Sequence, residues 1–94
     1  MSQTVQLFSL GRIVATPGAL EALEHAGQGA HEFLTRHVSG DWGELDADDR
    51  RENDLSLRIG FRLLSAYRTR LGERSWVITE ADRSVTTCLL PDEY

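Results

Sequence analysis

The chain has 94 residues, of which 40% are hydrophobic and 27% charged, and its formal net charge at pH 7 is −5. This composition excludes an intrinsically disordered chain and predicts a single domain, residues 1–94, with a small core. No apolar run approaches the roughly 18 residues that span a membrane, and the N-terminus lacks the charged and apolar regions of a signal peptide. Cys88 is the only cysteine, so no internal disulfide is possible and a cytoplasmic location is expected.

Three short helices are predicted, over residues 17–26, 30–38 and 47–59. Thr16 and Asp46 precede the first and third helices as N-caps, whose side-chain oxygens accept from free backbone N–H groups. Each helix is followed by a glycine that favours a helix stop, namely Gly27, Gly40 and Gly60. The third helix has only a thin apolar stripe, formed by Ala47, Leu55, Leu57 and Ile59.

Strands are predicted over residues 10–15, 61–68, 76–80 and 85–90, where apolar residues alternate with polar ones or β-branched residues accumulate. Short turns join the last three, which predicts an antiparallel meander, and residues 10–15 are the candidate fourth strand. Residues 92–94 are expected to form a tail after Pro91. The predicted fold is α+β, a single small domain in which three short helices pack on an antiparallel sheet of three to four strands.

The sequence lacks the common patterns of catalytic and metal sites. His25, His31 and His37 are six residues apart, so neighbouring histidines lie about 120° apart on a helix and cannot share a face as zinc ligands. Exposed or capping roles are expected for them. Cys88 is expected to be a small buried hydrophobe, and no EF-hand, P-loop or nucleophile-elbow motif is present. The sequence therefore predicts a protein that is not an enzyme, with no catalytic residue, cofactor or metal.

Charge is distributed unevenly along the chain. Residues 41–54 carry seven acids against two arginines, whereas residues 58–83 carry six arginines against three acids. The acidic segment is either a solvated helix face or a surface that imitates phosphates and steers a basic partner. The alternative is that the arginines of the predicted hairpin, Arg68, Arg70 and Arg74, contact phosphate, but a pI near 5.0 argues against general nucleic-acid binding by the chain. The candidate partner-binding residues are Asp41, Trp42, Glu44, Asp46, Asp48, Asp49 and Glu52.

The two tryptophans have different expected environments. Trp76 lies in an alternating strand and is expected in the core. Trp42 lies between Asp41 and Gly43 in a turn, where it either closes the core beneath the loop or stands out as an interface anchor.

Several motifs along the chain resemble a family of small proteins that occur on plasmids, phages and integrated elements of proteobacteria. Members are often labelled "plasmid-related protein" or "type I restriction endonuclease subunit M". The motifs are His37 with residues 39–43, Leu45-Asp46, Asp49, Asn53, and residues 63–67, 76–87 and 89–94. The resemblance extends from about residue 10 to the end of the chain. The family carries no established catalytic residues, so it implies none here.

This resemblance implies a mobile-element protein, and small acidic proteins in that setting are often anti-CRISPR or anti-restriction inhibitors. The expected function is non-enzymatic binding to a host protein or nucleoprotein complex through the acidic segment. The alternative is a small self-associating module for plasmid or phage maintenance, with no inhibitory activity. A monomer or a homodimer fits either function, and no membrane partner is expected.

Overall fold

The computed structural model of the chain describes residues 5–94. Its strands are β1 (Arg12–Ala15), β2 (Leu63–Arg68), β3 (Arg74–Thr79) and β4 (Val85–Leu89). Its helices are α1 (Pro17–His25), α2 (His31–Val38) and α3 (Ala47–Ile59), and a short 3₁₀ turn covers Pro91–Glu93. Every predicted helix and strand is present, with ends that differ from the prediction by two residues or fewer.

Local capping chemistry accounts for the helix ends. The side chain of Thr16 accepts from the backbone N–H of Ala19 at 3.2 Å, and Pro17 occupies the first position of α1. The side chain of Asp46 accepts from the backbone N–H of Asp49 at 2.8 Å, so it caps α3 as predicted. Gly60 ends α3 with φ of 83°, a left-handed conformation that glycine adopts without steric cost.

The four strands form one sheet in the order β1-β4-β3-β2. Strands β2, β3 and β4 are the predicted antiparallel meander, but β1 pairs parallel to β4, with Arg12 opposite Val85 and Ala15 opposite Cys88. The sheet is therefore mixed, and the prediction of a purely antiparallel sheet was wrong. Short turns fix the relative directions of β2, β3 and β4. In the sequence, all three helices separate β1 from β2, so no short turn fixes the direction of β1. The α+β class is confirmed.

Helices α1 and α2 contribute to the core on one face of the sheet. Alternate strand residues point to this face, and their side chains meet apolar side chains from the two helices. The core cluster consists of Ala19, Leu23, Phe33, Leu34, Tyr67, Val77 and Cys88. The rings of Phe33 and Tyr67 stack at a centroid distance of 4.9 Å.

Helix α3 packs through polar residues instead of the predicted apolar stripe. Asn53 and Ser56 are its buried residues, whereas Leu55 and Ile59 are 46% and 50% exposed. The reason is the position of α3 beside the outer edge of β2, where free backbone groups need partners. Asn53 donates to the carbonyl of Leu64 at 2.5 Å and accepts from its N–H at 3.2 Å, so it replaces a neighbouring strand.

The end of the chain is attached to the domain, contrary to the predicted tail. Glu93 accepts from the hydroxyl of Thr16 at 2.5 Å and from the N–H of Gly18 at 3.2 Å. Its carboxylate therefore lies at the N-terminus of α1, where negative charge is favoured, and these hydrogen bonds hold its pKa below the usual range. The ring of Tyr94 contacts that of Trp76 edge-on at 5.8 Å.

Candidate partner-binding surfaces

Trp42 lies in the interior and is only 5% exposed. Its indole N–H donates to Oδ1 of Asp54 at 3.1 Å, and its ring lies 6.3 Å from that of Phe8 and 5.8 Å from that of His37. Of the two alternatives for Trp42, closure of the core is the one that the structure shows. The indole is therefore not exposed as an interface anchor, and Trp42 is not part of the candidate surface.

Asp41 stabilises the turn that places Trp42. Its Oδ2 accepts from Nε of Arg36 at 2.7 Å, and its backbone carbonyl accepts from the hydroxyl of Tyr67 at 2.5 Å. Its Oδ1 also accepts from the N–H of Gly43 at 3.2 Å. The hydrogen bond from Arg36 is the main reason that the pKa of Asp41 is lowered. This carboxylate is thus already engaged within the chain.

Two other predicted residues form exposed ion pairs. Glu44 pairs with Arg68 at 2.8 Å, and Asp48 pairs with Arg51 in the first turns of α3. Exposed pairs of this kind are each worth roughly 0–1 kcal/mol, so a partner with stronger electrostatic complementarity can replace them. Asp46, the cap of α3, keeps an exposed side chain.

Asp49 and Glu52 are exposed, and within residues 5–94 neither forms an ion pair with a basic side chain. Both lie beside a shallow groove between α3 and β2 that Arg62 and Leu64 also line. Together with Asp46 and Asp48 they give the first half of α3 four exposed carboxylates. We call these four residues the acidic surface. It continues into exposed apolar side chains at Leu55, Ile59 and Phe61.

His37 is fully buried, so the expected exposed or capping role was wrong for this residue. Its Nδ1 lies 2.5 Å from Oγ of Ser65, and its Nε2 lies 2.9 Å from Oγ1 of Thr79. Thr79 in turn contacts the hydroxyl of Thr86 at 2.8 Å, and Thr86 donates to the carbonyl of Leu10 at 2.7 Å. We call this chain of hydrogen bonds the buried polar network.

The order of donors and acceptors along the buried polar network determines which ring nitrogen of His37 carries the proton. Because the Thr86 hydroxyl donates to a carbonyl, it accepts from Thr79, which leaves the Thr79 oxygen to accept from Nε2–H of His37. Nδ1 then accepts from the hydroxyl of Ser65. A neutral imidazole thus satisfies both hydroxyl partners, and burial, with a smaller effect of Arg83, lowers the pKa of His37 to about 4.

A sequence signal for the buried histidine was available. His37 follows Phe33 by four residues and Leu34 by three, so it lies on the core stripe of α2. The six-residue spacing of the histidines argues against a shared metal site but carries no information about the burial of each one. His25 and His31 are exposed, as expected.

The thiol of Cys88 and the Ser65–His37 pair lie in the interior of the domain. Cys88 is 1% exposed, as predicted, and burial raises the pKa of its thiol to about 11. Ser65 contacts His37 in the manner of a nucleophile and its base, but both residues are fully buried. A substrate therefore has no access to either group in this conformation.

Trp76 lies on the sheet face opposite α1 and α2 and is only partly buried, so its expected core position was wrong. Ser75 and Val77 take the helix-facing positions of β3, and the residue between them must point the other way. Alternation along a strand defines two faces, but the sequence did not show which of them the helices cover.

A scan against protein-family models and searches of curated proteins and solved structures found no match to this chain. Among residues 5–94, no helix is long and apolar enough to cross a membrane. The same part of the chain contains no group of three or more histidine, cysteine, aspartate or glutamate side chains arranged to hold a metal ion.

Proposed function

We propose that this protein is a non-enzymatic inhibitor from a mobile element that binds a host defence nucleoprotein complex of the CRISPR or restriction type. The acidic surface docks on basic residues with which that complex binds nucleic acid. The observation that carries the proposal is the exposure of four carboxylates at the start of α3, namely the N-cap Asp46 and, in the first half of the helix, Asp48, Asp49 and Glu52.

The geometry of α3 suits electrostatic docking. Asp48 and Glu52 are four residues apart, so they follow each other along one side of the helix at a spacing of about 6 Å. Asp49 and Glu52 have no intramolecular ion pair among the described residues, so their attraction for a basic partner is not already satisfied. A row of such charges raises the rate and specificity of association with a basic channel.

The apolar end of α3 supplies the second part of the interface. Leu55, Ile59 and Phe61 are between 46% and 60% exposed, directly after the acidic surface. Contacts with apolar residues add affinity that charge alone does not give, because exposed charge pairs contribute little net free energy.

The choice of a defence complex as the target rests on the resemblance to mobile-element proteins and on analogy with small acidic inhibitors from that setting. A cytoplasmic location follows from the same proposal, since CRISPR and restriction complexes act on DNA inside the cell.

A charge-reversal experiment tests the docking surface. The triple variant Asp48→Arg, Asp49→Arg and Glu52→Arg should lose protection of a phage or plasmid in cells that carry an active CRISPR or restriction system. The matched control reverses Glu21, Glu24 and Asp92, three exposed acids outside the acidic surface, and should keep full protection. Circular dichroism and thermal unfolding confirm that both variants fold. Full activity of the first variant would refute docking through α3.

One observation favours the second candidate function, a self-associating maintenance module. The edge strand β1 exposes Ile13 and Val14, which are 51% and 36% exposed. Arg12 and Thr16 direct their N–H groups to β4, so the backbone groups of Ile13 and Ala15 point away from the sheet. Light scattering after size-exclusion chromatography distinguishes the two functions, because the module predicts a stable dimer and no protection in the cell assay.

A further inference from the structure

The sheet face opposite α1 and α2 has a composition that the acidic surface does not explain. We call it the open face; its central side chains Ile78 and Leu89 are buried, and its accessible residues lie around them. Arginines lie at both ends of this face and mostly apolar residues lie in the middle. From one end to the other, the residues that lie side by side across the strands are Arg68 and Arg74; Ala66, Trp76 and Leu89; Leu64, Ile78, Thr87 and Val14; and Arg62, Glu80, Val85 and Arg12. Four arginines lie on this face in a chain whose net charge is −5; Glu80 and the neighbouring Glu44 pair with two of them, and Asp49 and Glu52 line the groove beside Arg62.

Two arginines are direct cross-strand neighbours on this face. Arg68 of β2 lies opposite Arg74 of β3, so their side chains start about 5 Å apart on the same side of the sheet. Glu44 pairs with Arg68, but within residues 5–94 no acidic side chain pairs with Arg74. Like charges in this arrangement destabilise a sheet, and an anion bound beside Arg74 removes the repulsion.

Aromatic rings lie next to this arginine pair. Trp76 is two residues from Arg74 on the same face, and its partly buried ring contacts Tyr94, which is 71% exposed. Nη1 of Arg62 donates to the Tyr94 hydroxyl at 2.5 Å, and its guanidinium lies 5.8 Å from the ring centroid. Arginines at both ends of a row of aromatic rings are the arrangement with which proteins hold a strand of phosphates and stack its bases.

We propose that the open face binds single-stranded nucleic acid. Phosphates contact Arg74 and Arg68 at one end and Arg62 and Arg12 at the other, about 20 Å away along the strands. Bases stack on Tyr94 and on the accessible part of Trp76. The aromatic rings favour nucleic acid over an acidic peptide, whose carboxylates need no stacking partner. The net negative charge of the chain makes this binding weak and local, which agrees with the absence of general nucleic-acid binding that the pI predicts.

Fluorescence anisotropy with a fluorescein-labelled 12-nucleotide oligouridylate tests the proposal on the full chain at low salt. We expect a Kd on the order of 10⁻⁵ M, weakened by added salt. Arg74→Glu should weaken binding about tenfold, and Tyr94→Ala about fivefold or more, since each stacked base contributes about 1–3 kcal/mol. Arg58→Glu, the same charge change at an exposed position on α3, is the matched control and should have little effect.

Tryptophan fluorescence gives an independent readout. Trp42 is buried and Trp76 is partly exposed, so stacking of a base should quench the emission of Trp76 in the parent chain and in the Trp42→Phe variant. Three results would overturn the proposal: no binding at about 10⁻⁴ M protein and low salt, equal losses for Arg58→Glu and Arg74→Glu, or displacement of the oligonucleotide by polyglutamate at equal concentration. The last result would assign the open face to an acidic protein segment. Because none of these variants alters the acidic surface, the outcome is independent of the proposed inhibition.

Discussion

The polar interior and the charged surface of this domain use similar side chains for different purposes. In the interior, His37 binds the hydroxyls of Ser65 and Thr79, and Asn53 binds both backbone groups of Leu64, so each residue joins its helix to the sheet. On the acidic surface, Asp49 and Glu52 have no ion pair within residues 5–94. Burial and completed hydrogen bonds therefore mark the polar residues on which the fold depends. Exposed charges without partners mark those that remain available for binding.

The largest effect is expected from the centre of the buried polar network. His37→Ala removes the imidazole, leaves the Ser65 hydroxyl without its partner, removes one of the two partners of the Thr79 hydroxyl and opens a cavity, so the free energy of unfolding should fall by about 3–4 kcal/mol. Urea unfolding measures this loss. His31→Ala on the same helix is the control, because its side chain is exposed and the change should stay within about 0.5 kcal/mol. Equal effects of the two substitutions would contradict the structural role of His37.

The next effect is a loss of stability in mild acid. The pKa of His37 is about 4 in the folded chain and about 6.5 when unfolded, so the unfolded state binds more protons between these values. Unfolding should therefore become easier by about 2 kcal/mol between pH 8 and pH 5. Three carboxylates also have lowered pKa values, namely Asp41, Asp82 and Glu93. They reduce the stability of the fold only in stronger acid, where carboxylates begin to be protonated. Urea titrations at several pH values should show that His37→Gln removes most of the change above pH 5.

A loss of stability equal to or smaller than this pH effect is expected when the edge of β2 is disturbed. Asn53→Ala leaves the N–H and carbonyl of Leu64 without their partners, which should cost about 1–2 kcal/mol in the free energy of unfolding. Glu52→Ala, one position earlier and exposed, provides the comparison. Hydrogen exchange should show faster exchange of the Leu64 amide in the Asn53 variant alone. Unchanged exchange there would mean that Asn53 does not close the edge.

The smallest effect on stability is expected from the acidic surface. Asp49→Asn with Glu52→Gln removes two charges and no ion pair formed within the described part of the chain, so the free energy of unfolding should change by less than about 0.5 kcal/mol. Thermal unfolding at low and high salt measures the change. A loss above about 1 kcal/mol would show that these carboxylates belong to the fold, and the contrast between interior and surface would fail.

The features predicted correctly from the sequence are those that depend on local chemistry. Thr16, Asp46 and Gly60 define helix ends within a few residues of chain, and short turns define the β2–β3–β4 meander. The parallel pairing of β1 depends instead on contacts between residues more than seventy positions apart. No local rule contains that information, so the direction of β1 was predicted wrongly.

The sequence predicted where along the chain the acidic residues lie, but not which of their side chains are exposed and free of ion pairs in the folded domain. The sequence locates the acids, yet the arginines that engage Asp41 and Glu44 come from α2 and β2. The position of Trp42 in the interior likewise depends on Phe8 and Asp54, which approach it only in the folded chain. Pairing and burial are tertiary properties, and they decide which members of an acidic segment face a partner.

The two edges of the sheet are unequal. Segment 42–44 and Asn53 occupy the backbone groups of Leu64 and Ala66 on the outer edge of β2, whereas no strand formed by residues 5–94 lies beside the outward groups of β1. The sheet can therefore add a further strand at one edge only, the edge formed by β1. Two copies that join through β1 leave only closed edges at both ends, so growth terminates at the pair and does not continue into a fibre.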